Sequence, residues 1–268
     1  MYDRPGAGAA IAFLALAVLS CSESTAPDTP PDYAGTPFTY EQIGDAPLTG
    51  AIMDGIWADG STIVAVGNGP ILRSPDGGQS WEEVGPRHTY QGVWGEGSRV
   101  LAVGVNVILR STDAGETWAA VSEEGRFNGV WGDGSTVVAV GYDLADPPTS
   151  GPRIARSTDA GDTWSPVAGL PPVQDLWGVW GAGQVWVAVG RHGAILRSTD
   201  AGSTWAVVRA PGDTAPANHT LWNVSGQGST VVAVGEYGTL LRSTDGGETW
   251  ADVDVPLPDQ AHLYDVRV

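Results

Sequence analysis

One eight-residue string, S-x-D-x-G-x-[ST]-W, occurs five times in this chain without a mismatch. The copies run Ser74–Trp81, Ser111–Trp118, Ser157–Trp164, Ser198–Trp205 and Ser243–Trp250, and their tryptophans lie 37, 46, 41 and 45 residues apart. Recurrence at that period means one supersecondary unit built again and again. An apolar pair and an arginine precede each copy: Ile71-Leu72-Arg73, Ile108-Leu109-Arg110, Ile154-Ala155-Arg156, Ile195-Leu196-Arg197 and Leu240-Leu241-Arg242. Upstream lies a Val-Ala-Val-Gly block, such as Ile63–Gly67 or Val231–Gly235. Upstream again lies a block around Ile56-Trp57, Val93-Trp94, Val130-Trp131, Val179-Trp180 and Val224-Ser225.

Each unit therefore holds four short β-prone runs, A to D, separated by Gly/Asp/Ser turns. No stretch carries a helical period of useful length. Four strands per unit at this spacing predict an all-β fold, a β-propeller of four-stranded blades. The B runs are apolar at consecutive positions, which predicts burial on both faces of each small sheet.

The string itself has a mechanical reading as the C–D turn. Its Asp accepts hydrogen bonds from the turn's own backbone N–H groups, and its Gly supplies a positive φ. The Ser and Thr hydroxyls tie the ends, and the Trp plugs the gap toward the next blade. Asp76, Trp81, Asp113, Trp118, Asp159, Trp164, Asp200, Trp205, Asp245 and Trp250 are thus structural residues. No D-x-[DN]-x-[DN]-G calcium loop occurs, Asp159 with Asp162 being the nearest approach.

These residues resemble the Asp-box, or BNR, repeat of sialidases and other secreted propellers. The longer unit, seen in Leu221–Trp250, is more similar to the repeat of the Ycf48/Hcf136-like photosystem II assembly factors. The resemblance runs from about Tyr40 onward and implies the propeller fold. Because many unrelated roles share that fold, it implies little about function. It does bring two alternatives: a sialidase-like glycoside hydrolase and a Ycf48-like assembly factor for a membrane complex.

Residues 1–20 read as a lipoprotein signal peptide. Ala9–Leu19 is an apolar run too short to span a bilayer. Val18-Leu19-Ser20-Cys21 resembles the bacterial lipobox, which implies lipidation of Cys21, the sole cysteine. Ser22 in the next position favours an outer membrane if the host has two. Residues 21–37, rich in Ser, Thr, Pro and Asp, read as a disordered tether, and 38–268 as the propeller. The net charge of −18, with no Lys anywhere, repels nucleic-acid phosphates and anionic lipid. Contact with a membrane is expected through the lipid anchor alone.

Both ends carry strand-like fragments. Phe38–Ile43 resembles a D strand, with Tyr40 in the turn-Trp position, and Leu263–Val268 aligns with the A strand Leu221–Gly226. The expectation is five full repeats plus partial strands at both termini, five- or six-bladed, with five closed blades preferred.

In such a fold the A–B and C–D turns share one face, and the B–C and D–A loops share the other. Variable lengths fall on the second face: Tyr142–Pro152, Ala168–Asp175, Ala210–Thr220 and Val255–His262. Function tends to lie in variable loops on a rigid scaffold. The candidate binding residues there are Arg87, His88, Tyr90, Arg126, Tyr142, Asp143, Arg191, His192, His219, Glu236 and Tyr237. Asn218-His219-Thr220 matches a glycosylation sequon, read as accidental in a bacterial lipoprotein.

No HExxH, GxSxG, P-loop or CxxC motif is present, and the four His are scattered, so no cofactor, metal or catalytic residue is assigned. A sialidase site would need an arginine triad, a Tyr–Glu pair and an Asp acid. Five of the thirteen Arg are the periodic ones before each string, and Glu236-Tyr237 is a mere sequence neighbour pair. The reading is a non-catalytic, exported, lipid-anchored binding or scaffold module for a protein or glycan.

Overall fold

The structure, a computed structural model, describes residues 53–143, 151–210, 219–256 and 261–268. The signal peptide, Cys21, the tether and the Phe38–Ile43 fragment lie outside the described residues.

The repeat folds as five four-stranded antiparallel units. The first holds β1 (Met53–Asp59), β2 (Thr62–Gly69), β3 (Leu72–Ser74) and β4 (Glu82–Glu83). The second holds β5 (His88–Glu96), β6 (Arg99–Gly104), β7 (Val107–Ser111) and β8 (Ala119–Ser122). The third holds β9 (Arg126–Asp133), β10 (Thr136–Asp143), β11 (Gly151–Ser157) and β12 (Ser165–Pro166). The fourth holds β13 (Leu176–Ala182), β14 (Val185–Gly190), β15 (Ile195–Ser198) and β16 (Ala206–Arg209). The fifth holds β17 (Leu221–Gln227), β18 (Thr230–Gly235), β19 (Leu240–Ser243) and β20 (Ala251–Asp252). Strands pair in chain order within each unit, and a short β2–β5 ladder (Asn68 with Thr89, Gly69 with His88) joins the first two units.

Successive A strands lie side by side, β1 against β5, β5 against β9, β9 against β13 and β13 against β17. Glycine permits that approach. A Cβ on Gly129 would sit 2.6 Å from the Trp177 carbonyl, and one on Gly178 would sit 2.8 Å from the Asn223 Cα. The A strands are therefore the inner strands, and the units stack face to face.

The core fills the junctions between units. Val64, Val66 and Ile71 of the first unit meet Val100, Ala102 and Leu109 of the second. Leu101, Val103 and Ile108 meet Phe127, Val130 and Val137; Val138, Val140 and Ile154 meet Leu176, Val179 and Trp186; Val187, Val189 and Ile195 meet Leu221, Val224 and Val231. The consecutive apolar B runs are explained, because alternate residues feed the two junctions flanking each sheet. Each sealed Val, Leu or Ile contributes about 2 kcal/mol of apolar burial.

The turn tryptophans correct one expectation. Trp118, Trp164, Trp205 and Trp250 pack toward the preceding unit rather than the next. Each indole Nε1 donates to its own turn glycine (Trp118 to the Gly115 carbonyl, 3.0 Å), which folds the ring back over the turn. That glycine rests on the preceding B strand, so that a Cβ at Gly115 would meet Val64 at 2.7 Å and one at Gly247 would meet Val187 at 2.7 Å. The forward link is made by the arginine instead. Arg73, Arg110, Arg156 and Arg197 each donate Nε to the fourth-residue carbonyl of the next turn, at Ala114, Ala160, Ala201 and Gly246.

Leu263–Val268 joins no ladder among the described residues, although Leu263 N donates to the Gly235 carbonyl at 3.0 Å. It covers the outward face of the fifth unit, where Leu263 and Val266 are buried against Val232 and Val234. Asp265 accepts from Asn223 Nδ2, and the Arg267 guanidinium lies 5.8 Å over the Trp131 ring of the third unit's inner strand.

Candidate binding site

The two faces separate as their hydrogen bonds dictate. Each C–D turn donates to its own A–B turn, as Ala114 N does to the Ser98 carbonyl at 2.7 Å. Within the turn, Ser111 Oγ donates to Asp113 Oδ1 (2.7 Å) and accepts from Gly115 N (2.8 Å), while Thr117 N and Oγ1 donate to the two Asp113 oxygens. The same set recurs at Asp76, Asp159, Asp200 and Asp245. These donors hold Asp76, Asp113, Asp159 and Asp200 at about 2, the neighbouring Ser or Thr hydroxyl being the largest cause, and Asp245 lower still.

On the opposite face the B–C turns bond to the D–A loops: Asn106 N to the Gly125 carbonyl, Arg191 N to that of Asp175, Glu236 N to that of Thr220. The sequence candidates on this face spread over several units. Arg87 pairs with Glu83 at 2.7 Å on the exterior, and exposed His88 accepts from Thr89 N at 2.8 Å. Tyr90 is not a surface residue. It is fully buried between the first two units, its hydroxyl donates to the Pro86 carbonyl, and burial pushes it up to about 12. Arg126 donates to the Tyr142 hydroxyl at 3.2 Å, and Asp143 pairs with Arg153 at 2.5 Å. Arg191 faces Asp175 at 3.6 Å, and His192 holds φ 56° in the turn beside it.

The remaining three, His219, Glu236 and Tyr237, come together on the fifth unit. Glu236 accepts from Thr220 N at 2.9 Å, His219 Nδ1 lies 3.0 Å from Thr239 Oγ1, and the His219 and Tyr237 rings are 4.5 Å apart. From Tyr237 the rings continue. His262 follows at 5.0 Å, Tyr264 at 5.9 Å, Trp222 at 6.2 Å and Trp177 at 4.9 Å, a row of six from the loop tip to the inner strands. Tyr237 is 55% exposed and Tyr264 44%. Burial lowers His219 from its ordinary value, with nearby His262 adding to the effect and Glu236 opposing it.

Sequence reasoning missed Trp177, Trp222, His262 and Tyr264. A signal was there, since each of these tryptophans and Tyr264 directly follows a buried leucine, Leu176, Leu221 or Leu263. The structural cause is a β-bulge. The A–B register slips between Leu176 and Gly178 and between Leu221 and Asn223, leaving Trp177 and Trp222 unpaired in the ladder and re-aimed. A separate groove lies along the outer edge of the fifth unit, lined by Arg242, Thr244, Thr249, Trp250, Ala251 and Val253.

An ancestral GH74 enzyme superposes with a TM-score of 0.65 at 14% identity, over 82% of this chain and 34% of that one. Ycf48 bound to D1 peptide superposes at 0.57 and 19% identity, over 79% and 69%. The nidogen/laminin complex matches at 0.54 and 13% identity, over 76% and 79%. The fold is a β-propeller. The chain spans about a third of the GH74 enzyme's length. No protein-family model matches it, and no curated protein matches it by sequence. Each of the five units above has the form of a propeller blade, and among the described residues no group of three or more His, Cys, Asp or Glu could hold a metal ion.

Proposed function

We propose that this propeller is a non-catalytic binding module of the cell envelope, tethered through lipid on Cys21, that takes its partner on the loop face of the fourth and fifth blades. One observation carries the reading. Aromatic side chains, which folding ordinarily hides, form one continuous row on that face, with Tyr237 and Tyr264 exposed and the others half-buried. The ionisable residues around it support binding over hydrolysis. Arg126 is engaged by Tyr142, Arg191 by Asp175, and the Glu236 carboxylate by the Thr220 amide, so the triad and acid–nucleophile pair of a sialidase are not gathered by these side chains. Propellers of this shape include one bound to a peptide and one in a protein complex.

Crosslinking the full-length chain in intact envelopes, followed by pull-down, tests this. The wild type should recover a partner that a Tyr237→Asn, Tyr264→Ala double variant loses. Equal recovery by both, or nothing above background with either, overturns it.

A further inference from the structure

The six-ring row has a shape that selects among ligands. Its rings contact one another in succession, each meeting only the next in the series, with neighbouring planes tilted by 30–49° along the exposed part. Aromatic cages that hold a single cation surround a point. A succession of rings instead suits a ligand that is itself a chain of rings, whose C–H faces can meet aromatic side chains. Two carboxylates lie along the exposed part, with Arg267 3.9 Å from the second. Glu236 lies by His219, and Asp265, next to Tyr264 in the chain, accepts from the Asn223 amide. Hydroxyl groups can donate to such acceptors and still accept from water, whereas a carboxylate or phosphate would be repelled by them and by the chain's charge of −18.

The backbone adds a second observation. Tyr237 stands at φ 51°, where a non-glycine residue is strained; His192 of the fourth blade's equivalent turn stands at φ 56° and Asn106 of the second blade's shorter turn at φ 52°. Asn tolerates that conformation best after Gly, so a tyrosine there keeps its ring at a backbone cost.

We infer that the row is a platform for an uncharged oligosaccharide, laid from Tyr237 across His262 and Tyr264 to Trp222. This rests on the loop face being the binding face, as proposed above.

The test uses the full-length chain with four probes: cellohexaose, chitohexaose, hexagalacturonate and hexalysine. Binding is read by tryptophan fluorescence, to which Trp222 reports, and by calorimetry. At least one neutral hexasaccharide should bind, with Tyr237→Asn and Tyr264→Ala each weakening it by roughly tenfold and Glu116→Ala leaving it unchanged. Tyr237→Asn separates ring loss from misfolding, because it installs the residue already accepted at position 106. Failure of both neutral probes overturns the inference, as does binding that survives both row variants. Tighter binding of hexalysine, lost with the same variants, assigns the row to a basic peptide and overturns the glycan while keeping the face. Pull-down partners indifferent to the row would instead sink the binding-face reading itself.

Discussion

The two faces of this propeller treat the same residue types in opposite ways. On the repeat-turn face, five serines, five aspartates and five hydroxyl residues satisfy one another within eight residues of chain. On the loop face, the connections vary from blade to blade apart from the matching Arg191–Gly193 and Glu236–Gly238 turns, and tyrosine, histidine and tryptophan stand partly exposed in a row. Polar chemistry on the first face is consumed by folding, whereas the second holds back side chains that the fold does not need. Exposed groups with structural partners and exposed groups without them call for different readings.

Several measurements would break or sharpen that contrast. The largest effect should come from Ser111→Ala, which strips the Gly115 and Asp113 amides of a buried acceptor. It should lower the unfolding free energy by about 2 kcal/mol in denaturant titration. Oligosaccharide or partner binding should not change, and a loss of binding there would blur the division between faces.

Acid should next attack the repeat-turn face. Its aspartates titrate at about 2 in the folded chain, below their ordinary 3.8, so the folded state is favoured wherever they are ionised. That contribution is present above about pH 4 and drains away as pH falls toward 2. A melting temperature that fails to drop over this window, or a drop unaltered in Asp113→Asn, would contradict the stapling role.

A smaller change of opposite sign is expected from Ala160→Gly. Ala114, Ala160 and Ala201 occupy positive φ at the fourth turn position, where the first and fifth turns carry Gly77 and Gly246. Relief of φ 62° at Ala160 should raise stability by up to about 1 kcal/mol in thermal melts. Least of all, Arg87→Ala should shift stability by no more than about 0.5 kcal/mol, because its pair with Glu83 is solvent-exposed.

The fold was legible because its information is local and repeated. The Asp-to-Thr staple closes within five residues, so its letters announced the C–D turn before any packing was known. The direction of the turn tryptophans was not legible, since Trp118 could serve either flanking blade until the Gly115–Val64 contact chose the preceding one. Tyr90 misled for a related reason. It lies near the start of β5, after the connection from the first blade, and the packing of the first blade against the second buries it.

The binding row marks the same boundary. His219, Glu236 and Tyr237 could be chosen from loop position alone, but nothing local joined them to His262, Tyr264, Trp222 and Trp177. By itself the sequence determined the unit, its strand order, its stapled turn and which face would vary, because each depends on contacts within one period. The tertiary structure alone decided which way each blade leans and which rings meet. Those outcomes depend on stacking one sheet against the next and on bulges that turn Trp177 and Trp222 out of the ladder.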